Sequence, residues 1–254
     1  MGRGRHARRR LWAPAALLLT LPVLVRPEHH AAKVRVEHAQ AVAPPKVTSV
    51  VGLGDSVPAG NACGCTSFVA QVATAWHAAV RNLARGGYTS ADVLNQVQRL
   101  HVTGGPGQAT LVTVGANDFD SSLLSRPGYR SSDGFAGYAG TFAALQRNLT
   151  ALLHQLHGRV LVTGYWNVFL DGDVGRSKGA EYVRDSDALT RKVNAALERT
   201  AAAADATYVD LYGPFKGDGD LDDSVLLAAD GDHPSAAGHA LIAAVVDSAI
   251  GGTA

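Results

Sequence analysis

The chain has 254 residues, 46% of them hydrophobic and 18% charged, a balance that excludes a disordered chain and suits one sizeable globular core. Its net charge of +1 hides an asymmetry: residues 1–46 carry nine Lys/Arg against two Asp/Glu, and residues 47–254 carry 14 against 20. The folded part is therefore mildly acidic, which argues against a nucleic-acid partner.

Residues 1–46 read as an export signal or membrane anchor followed by a linker. Arg3, Arg5, Arg8, Arg9 and Arg10 precede an apolar run from Leu11 to Val25, interrupted by Pro14 and Pro22. A basic segment before a short apolar one matches a signal peptide, and the run is short for a membrane span. Ala39-Gln40-Ala41 has the small-x-small form of a cleavage site but lies far downstream, so an uncleaved tether stays open. Arg8-Arg9-Arg10 hints at the twin-arginine route. Either way the remaining domain, residues 47–254, is expected outside the cytoplasm, secreted or held at the outer membrane face.

From residue 47 onward, short β-branched runs alternate with longer amphipathic stretches. Strands are predicted at 47–53, 81–84, 110–114, 159–163 and 207–211, and helices at 67–80, 90–100, 135–157, 181–204 and 235–250. Apolar strands separated by helices imply a five-stranded parallel sheet covered on both faces, a flavodoxin-like three-layer α/β/α sandwich. In such folds the site lies at the C-terminal ends of the strands.

Polar and glycine-rich clusters fall at those ends: Gly54-Asp55-Ser56, Arg85-Gly86-Gly87-Tyr88, Gly115-Ala116-Asn117-Asp118 and Asp230-Gly231-Asp232-His233-Pro234. A serine hydroxyl needs a base to become a nucleophile. His233 is the natural base for Ser56, and Asp230, three residues earlier, can hold its tautomer. The backbone N–H groups of Ser56 and Gly87 and the side-chain amide of Asn117 can serve the oxyanion of a tetrahedral intermediate.

These four blocks, in this order across residues 50–245, resemble the GDSL esterase/lipase family, the SGNH hydrolases. The resemblance implies hydrolysis of carboxylic esters through an acyl-serine, with no metal or cofactor. It carries over Ser56, Asp230 and His233 as catalytic and Ser56, Gly87 and Asn117 as the oxyanion hole. Tyr88 departs from the small residue usual in the second block, and Val57 from the leucine of the family's name. Acting on a lipid, sugar or small-molecule ester, the domain is expected to be a monomer. A glycan-binding module with an inactive site is the reading of another class, and a thioesterase or acyltransferase would use the same residues.

Other features carry weaker expectations. Tyr165-Trp166-Asn167 ends the fourth strand, so Tyr165 and Trp166, with Tyr88, are candidates to line the substrate cleft. Cys63 and Cys65 are equally readable as a loop-stapling disulfide or as two free thiols, and are too few for a zinc site. Asp55 and Asp118 read as structural hydrogen-bond acceptors, and the aspartates at 218–223 as a solvated acidic loop. Residues 172–179 read as a lid or linker, and His239 as a surface residue.

Overall fold

The computed structural model describes residues 46–125 and 133–252. The expected signal or anchor and its linker lie outside the described residues, except for Lys46. Among the described residues, no helix is long and apolar enough to cross a membrane.

The chain opens with β1 (Ser49–Gly54), the short α1 (Ser56–Ala59), α2 (Phe68–Ala75) and β2 (Ala79–Asn82). Then come α3 (Ser90–Leu100), β3 (Gly104–Thr113), α4 (Ala139–Leu153) and β4 (His157–Thr163). The C-terminal part supplies α5 (Gly172–Ser177), α6 (Ala180–Ala203), β5 (Thr207–Val209), α7 (Tyr212–Lys216) and α8 (Ala236–Gly252). All sheet pairings are parallel and the strand order is β2-β1-β3-β4-β5, the flavodoxin-like order. Right-handed crossovers send α2 and α8, which pack together, to one face and α3, α4 and α6 to the other. The central strands bury Val50, Leu53, Leu111, Val112, Leu161 and Val162, as expected for a sheet covered on both sides.

Several element boundaries differ from the sequence expectation, and three of the differences have a clear cause. The second strand is Ala79–Asn82 rather than 81–84, because α2 stops at Ala75 and His77 takes a left-handed conformation (φ 50°) that turns the chain early. The third strand starts at Gly104, through a register shift between Gly105 and Ala109 that accommodates Gly104-Gly105-Pro106-Gly107. The stretch read as a lid or linker holds a short helix, α5, capped by the Asp171 carboxylate on the Gly172 N–H.

Strand order reverses between β1 and β3, and there the loops after these strands diverge and leave a crevice. Gly54 ends β1 at φ 134°, where a Cβ would stand 1.8 Å from the Thr113 carbonyl oxygen. Only glycine permits that approach. It lets the Asp55 N–H reach the Thr113 carbonyl at 3.0 Å, so the turn leaving β1 is tied to β3.

Candidate active site

Asp55 is the N-cap of α1, its carboxylate accepting from the Val57 N–H at 3.0 Å. That cap places Ser56 at the first position of the helix, facing the crevice. The other Asp55 oxygen accepts from the Tyr165 hydroxyl at 2.6 Å. Asp55 is 1% exposed, and burial pushes its carboxyl up to about 6 despite these two donors. Burial, reinforced by the Asp55 charge, likewise holds the Tyr165 hydroxyl well above its ordinary value, so it stays a donor.

A cavity of about 230 Å³ opens beside Ser56. Ser56, Asn117, Asp232 and His233 supply polar walls, and Phe119 and the segment 168–170 supply apolar ones. Asn117 sits in the turn after β3, and its amide donates to the Tyr88 carbonyl at 3.1 Å. One of the two amide hydrogens is thereby used to orient the group, and the other is left for a substrate oxygen. Asp118 accepts from the N–H and hydroxyl of Ser90 at 2.8 and 2.5 Å, binding this turn to the start of α3. Asp55 and Asp118 thus have the structural hydrogen-bonding roles expected of them. Gly87 is exposed, with φ 79° and open space where a Cβ would be. Gly87 and Tyr88 lie in the loop next to Asn117, outside the walls of this cavity.

His233 lies in the loop before α8. Ala228 N–H donates to the His233 carbonyl at 2.8 Å, Leu227 and Pro234 form an antiparallel bridge, and Asp171 N–H holds the Gly231 carbonyl at 2.7 Å. The ring nitrogen Nδ1 stands 2.8 Å from Asp230 Oδ2, and Asp230 Oδ1 accepts from the His233 N–H at 3.3 Å. Asp232 Oδ1 stands 2.9 Å from the same Nδ1. The hydrogen bond to Asp230, with a second carboxylate oxygen beside it, requires Nδ1 to carry the proton, which leaves Nε2 as the basic atom. The close Asp232 carboxylate, together with Asp230, outweighs desolvation and raises His233 to about 9. Burial pushes Asp230 upward, but the His233 donors hold its carboxylate below the ordinary value.

Of the expected residues, Ser56, Asn117 and His233 meet in one cavity, with Asp230 on His233. Tyr165 and Trp166 do not line the cleft: both are 0% exposed. Tyr165 turns inward because its backbone is held by Asn194 at 2.9 and 2.6 Å and its hydroxyl by Asp55, while Trp166 stacks on Phe215 at 4.4 Å. Cys63 and Cys65 form a disulfide. His239 is not a surface residue: it is fully buried, and its Nδ1 accepts from the Phe68 N–H at 3.3 Å, capping α2 where the Ser67 side chain does not. The acidic loop at 218–223 is only partly solvated, since Asp223 is 1% exposed and lies 3.5 Å from Lys216 Nζ. Asp232 was missed by sequence reasoning, although its place next to His233 was a visible signal. The apolar wall at 168–170 carried no signal at all.

Fold and site together define a hydrolase on a flavodoxin-like sheet. The chain belongs to the GDSL-like Lipase/Acylhydrolase family, whose model matches residues 52–241, and it is a carboxylic ester hydrolase. Its fold is similar to that of phospholipase A1 from Streptomyces albidoflavus NA297, with a TM-score of 0.62 and 22% identity over 80% of this chain and 99% of that one. An extracellular lipase from Streptomyces rimosus gives a TM-score of 0.59 and 23% identity over 80% and 99%. A lipase from a goat rumen metagenome gives 0.61 and 17% over 80% and 97%. Among curated protein sequences, none matches this chain.

Proposed function

We propose that the protein is an exported serine esterase that cleaves carboxylic esters through an acyl-serine at Ser56. The observation that carries this reading is the single cavity shared by Ser56, Asn117 and His233. In it, His233 Nε2 takes the Ser56 proton as Oγ attacks the ester carbonyl, and Asp230 holds the ring and stabilises the imidazolium. The charge that develops on the carbonyl oxygen is met by the Ser56 and Gly87 backbone N–H groups and by the Asn117 amide. The alcohol leaves with the proton from His233, and water, activated by the same nitrogen, frees the acid.

Export is supported by the basic, then apolar, N-terminal pattern. The apolar wall formed by Val168, Phe169, Leu170 and Phe119 favours an acyl chain over a charged group, so an ester with an apolar acyl part is the substrate class proposed. The lipases and the phospholipase of like fold accord with a lipid ester.

The test is turnover of a short-chain p-nitrophenyl ester by the wild type and by Ser56→Ala, with fluorophosphonate labelling of both. Loss of about three or more powers of ten in kcat/KM, with loss of labelling, is expected for the variant. Equal turnover, or a wild type that neither turns over nor labels, would sink the reading.

A further inference from the structure

We propose that Asp232 is a second positioning carboxylate on His233, an ion-pair partner of Nδ1 beside the hydrogen-bonded Asp230, and that the pair sets the pH at which the enzyme works. This rests on His233 being the base for Ser56.

The geometry is specific. Asp230 Oδ2 and Asp232 Oδ1 lie 2.8 and 2.9 Å from the same ring nitrogen. The single Nδ1 proton is directed to Asp230, which makes the hydrogen bond, while Asp232 stands beside the same nitrogen as a charge. Asp232 is not a bystander on the loop surface: it lines the same cavity as Ser56, whereas Asp230 does not. Both acids are partly solvated, with side-chain exposures of 41% for Asp230 and 35% for Asp232, against 20% for His233. Either one alone would be a screened partner; together they place two negative charges on one ring.

This doublet acts twice. It stabilises the imidazolium that forms as the Ser56 proton is taken, which helps the transition state. It also stabilises the imidazolium before reaction, which removes the free base at neutral pH. The other groups near the ring do not reverse the balance. Asp55, in the turn after β1, adds a third acidic group. His239, on α8, is held neutral by burial. Tyr182, on α6, feels the Asp232 charge and stays protonated. Accordingly the acid limb of activity, set by His233, is expected on the alkaline side of an ordinary histidine's. Asp232 also gives the ring a reserve: with Asp230 removed, one carboxylate still fixes Nδ1–H and keeps Nε2 as the base.

The test compares kcat/KM against pH for the wild type, Asp232→Asn, Asp232→Glu, Asp230→Asn and the double Asn variant. Circular dichroism confirms that each is folded. The acid limb of Asp232→Asn is expected to fall by about one pH unit or more, raising the share of free imidazole at neutral pH about tenfold per unit. Asp232→Glu restores the wild-type limb. Asp230→Asn keeps measurable turnover, and the double variant drops to the level of Ser56→Ala. Superimposable limbs for wild type and Asp232→Asn, with Asp230→Asn already at the Ser56→Ala level, would overturn the proposal.

An NMR titration of the His233 ring in the Ser56→Ala background gives the same answer without turnover. A lower midpoint in Asp232→Asn supports the second carboxylate, and an unchanged one refutes it. This readout keeps a failure of the second carboxylate distinct from a failure of the serine mechanism, which would appear as full activity in Ser56→Ala.

Discussion

The Asp55 carboxylate and the Tyr165 hydroxyl lie 2.6 Å apart in the interior, 110 residues apart in sequence. Asp55 caps the helix that begins with Ser56, so Tyr165 supports the backbone of the proposed nucleophile through Asp55. Tyr165→Phe leaves a buried carboxylate with the Val57 N–H as its remaining donor. The expected loss is about 1–3 kcal/mol of stability, with a fall in kcat as the turn relaxes. The sign with pH follows from Asp55, which rises from 3.8 to about 6 on folding. The folded state holds that proton more tightly, so stability contributed by the protonated form is lost as pH rises from about 4 to 6. Chemical denaturation at pH 5 and pH 8 is expected to show a smaller Tyr165→Phe penalty at the lower pH.

Asn117 is oriented by the Tyr88 carbonyl before any substrate arrives. Its replacement by Ala removes the proposed oxyanion donor while leaving Ser56 and His233 in place. A drop of about 10²–10³ in kcat, with KM nearly unchanged, is expected from steady-state kinetics on a soluble ester.

His239 is lowered to about 4 by burial, with a contribution from the nearby His233 charge. The unfolded chain therefore binds the proton more readily, and the stability contributed by neutral His239 is complete above about 6.5 and lost as pH falls toward 4. His239→Asn places an amide oxygen near the position of Nδ1, keeps an acceptor for the Phe68 N–H and cannot titrate. Thermal melts from pH 7 to 4 are expected to fall less steeply for this variant than for the wild type.

A methyl group at residue 54 would overlap the Thr113 carbonyl at 1.8 Å, whereas one at residue 87 would meet open space. Gly54→Ala is expected to cost several kcal/mol or to prevent folding, and Gly87→Ala about 1–2 kcal/mol through its positive φ alone. Urea denaturation of the two variants checks the contrast.

Much of this was legible because local chemistry and global fold agree. The apolar strands read at 47–53 and 110–114 and the polar blocks at 54–56 and 115–118 after them needed no tertiary information to be found. What escaped depended on partners far away in sequence. Tyr165 and Trp166 look like cleft residues until Asn194, Asp55 and Phe215 are seen to draw them inward. His239 looks solvated until it is found capping α2, 171 residues earlier. Asp232 was legible as an acid but not as a ligand of His233, because an adjacent residue reaches the ring only through the closed loop between Ala228 and Pro234. The boundaries of β2 and β3 were misplaced where left-handed residues and glycines, rather than hydrophobic pattern, decide where pairing begins.

The Asn117–Tyr88 bond ties the turn after β3, which lines the cavity, to the loop after β2. A turn held this way resists moving outward for a larger acyl group. Adaptation to a different chain length therefore falls to Val168, Phe169 and Leu170, which line the cavity from the segment leading out of β4. Engineering of chain-length preference has its levers there, while the donor side stays a fixed template.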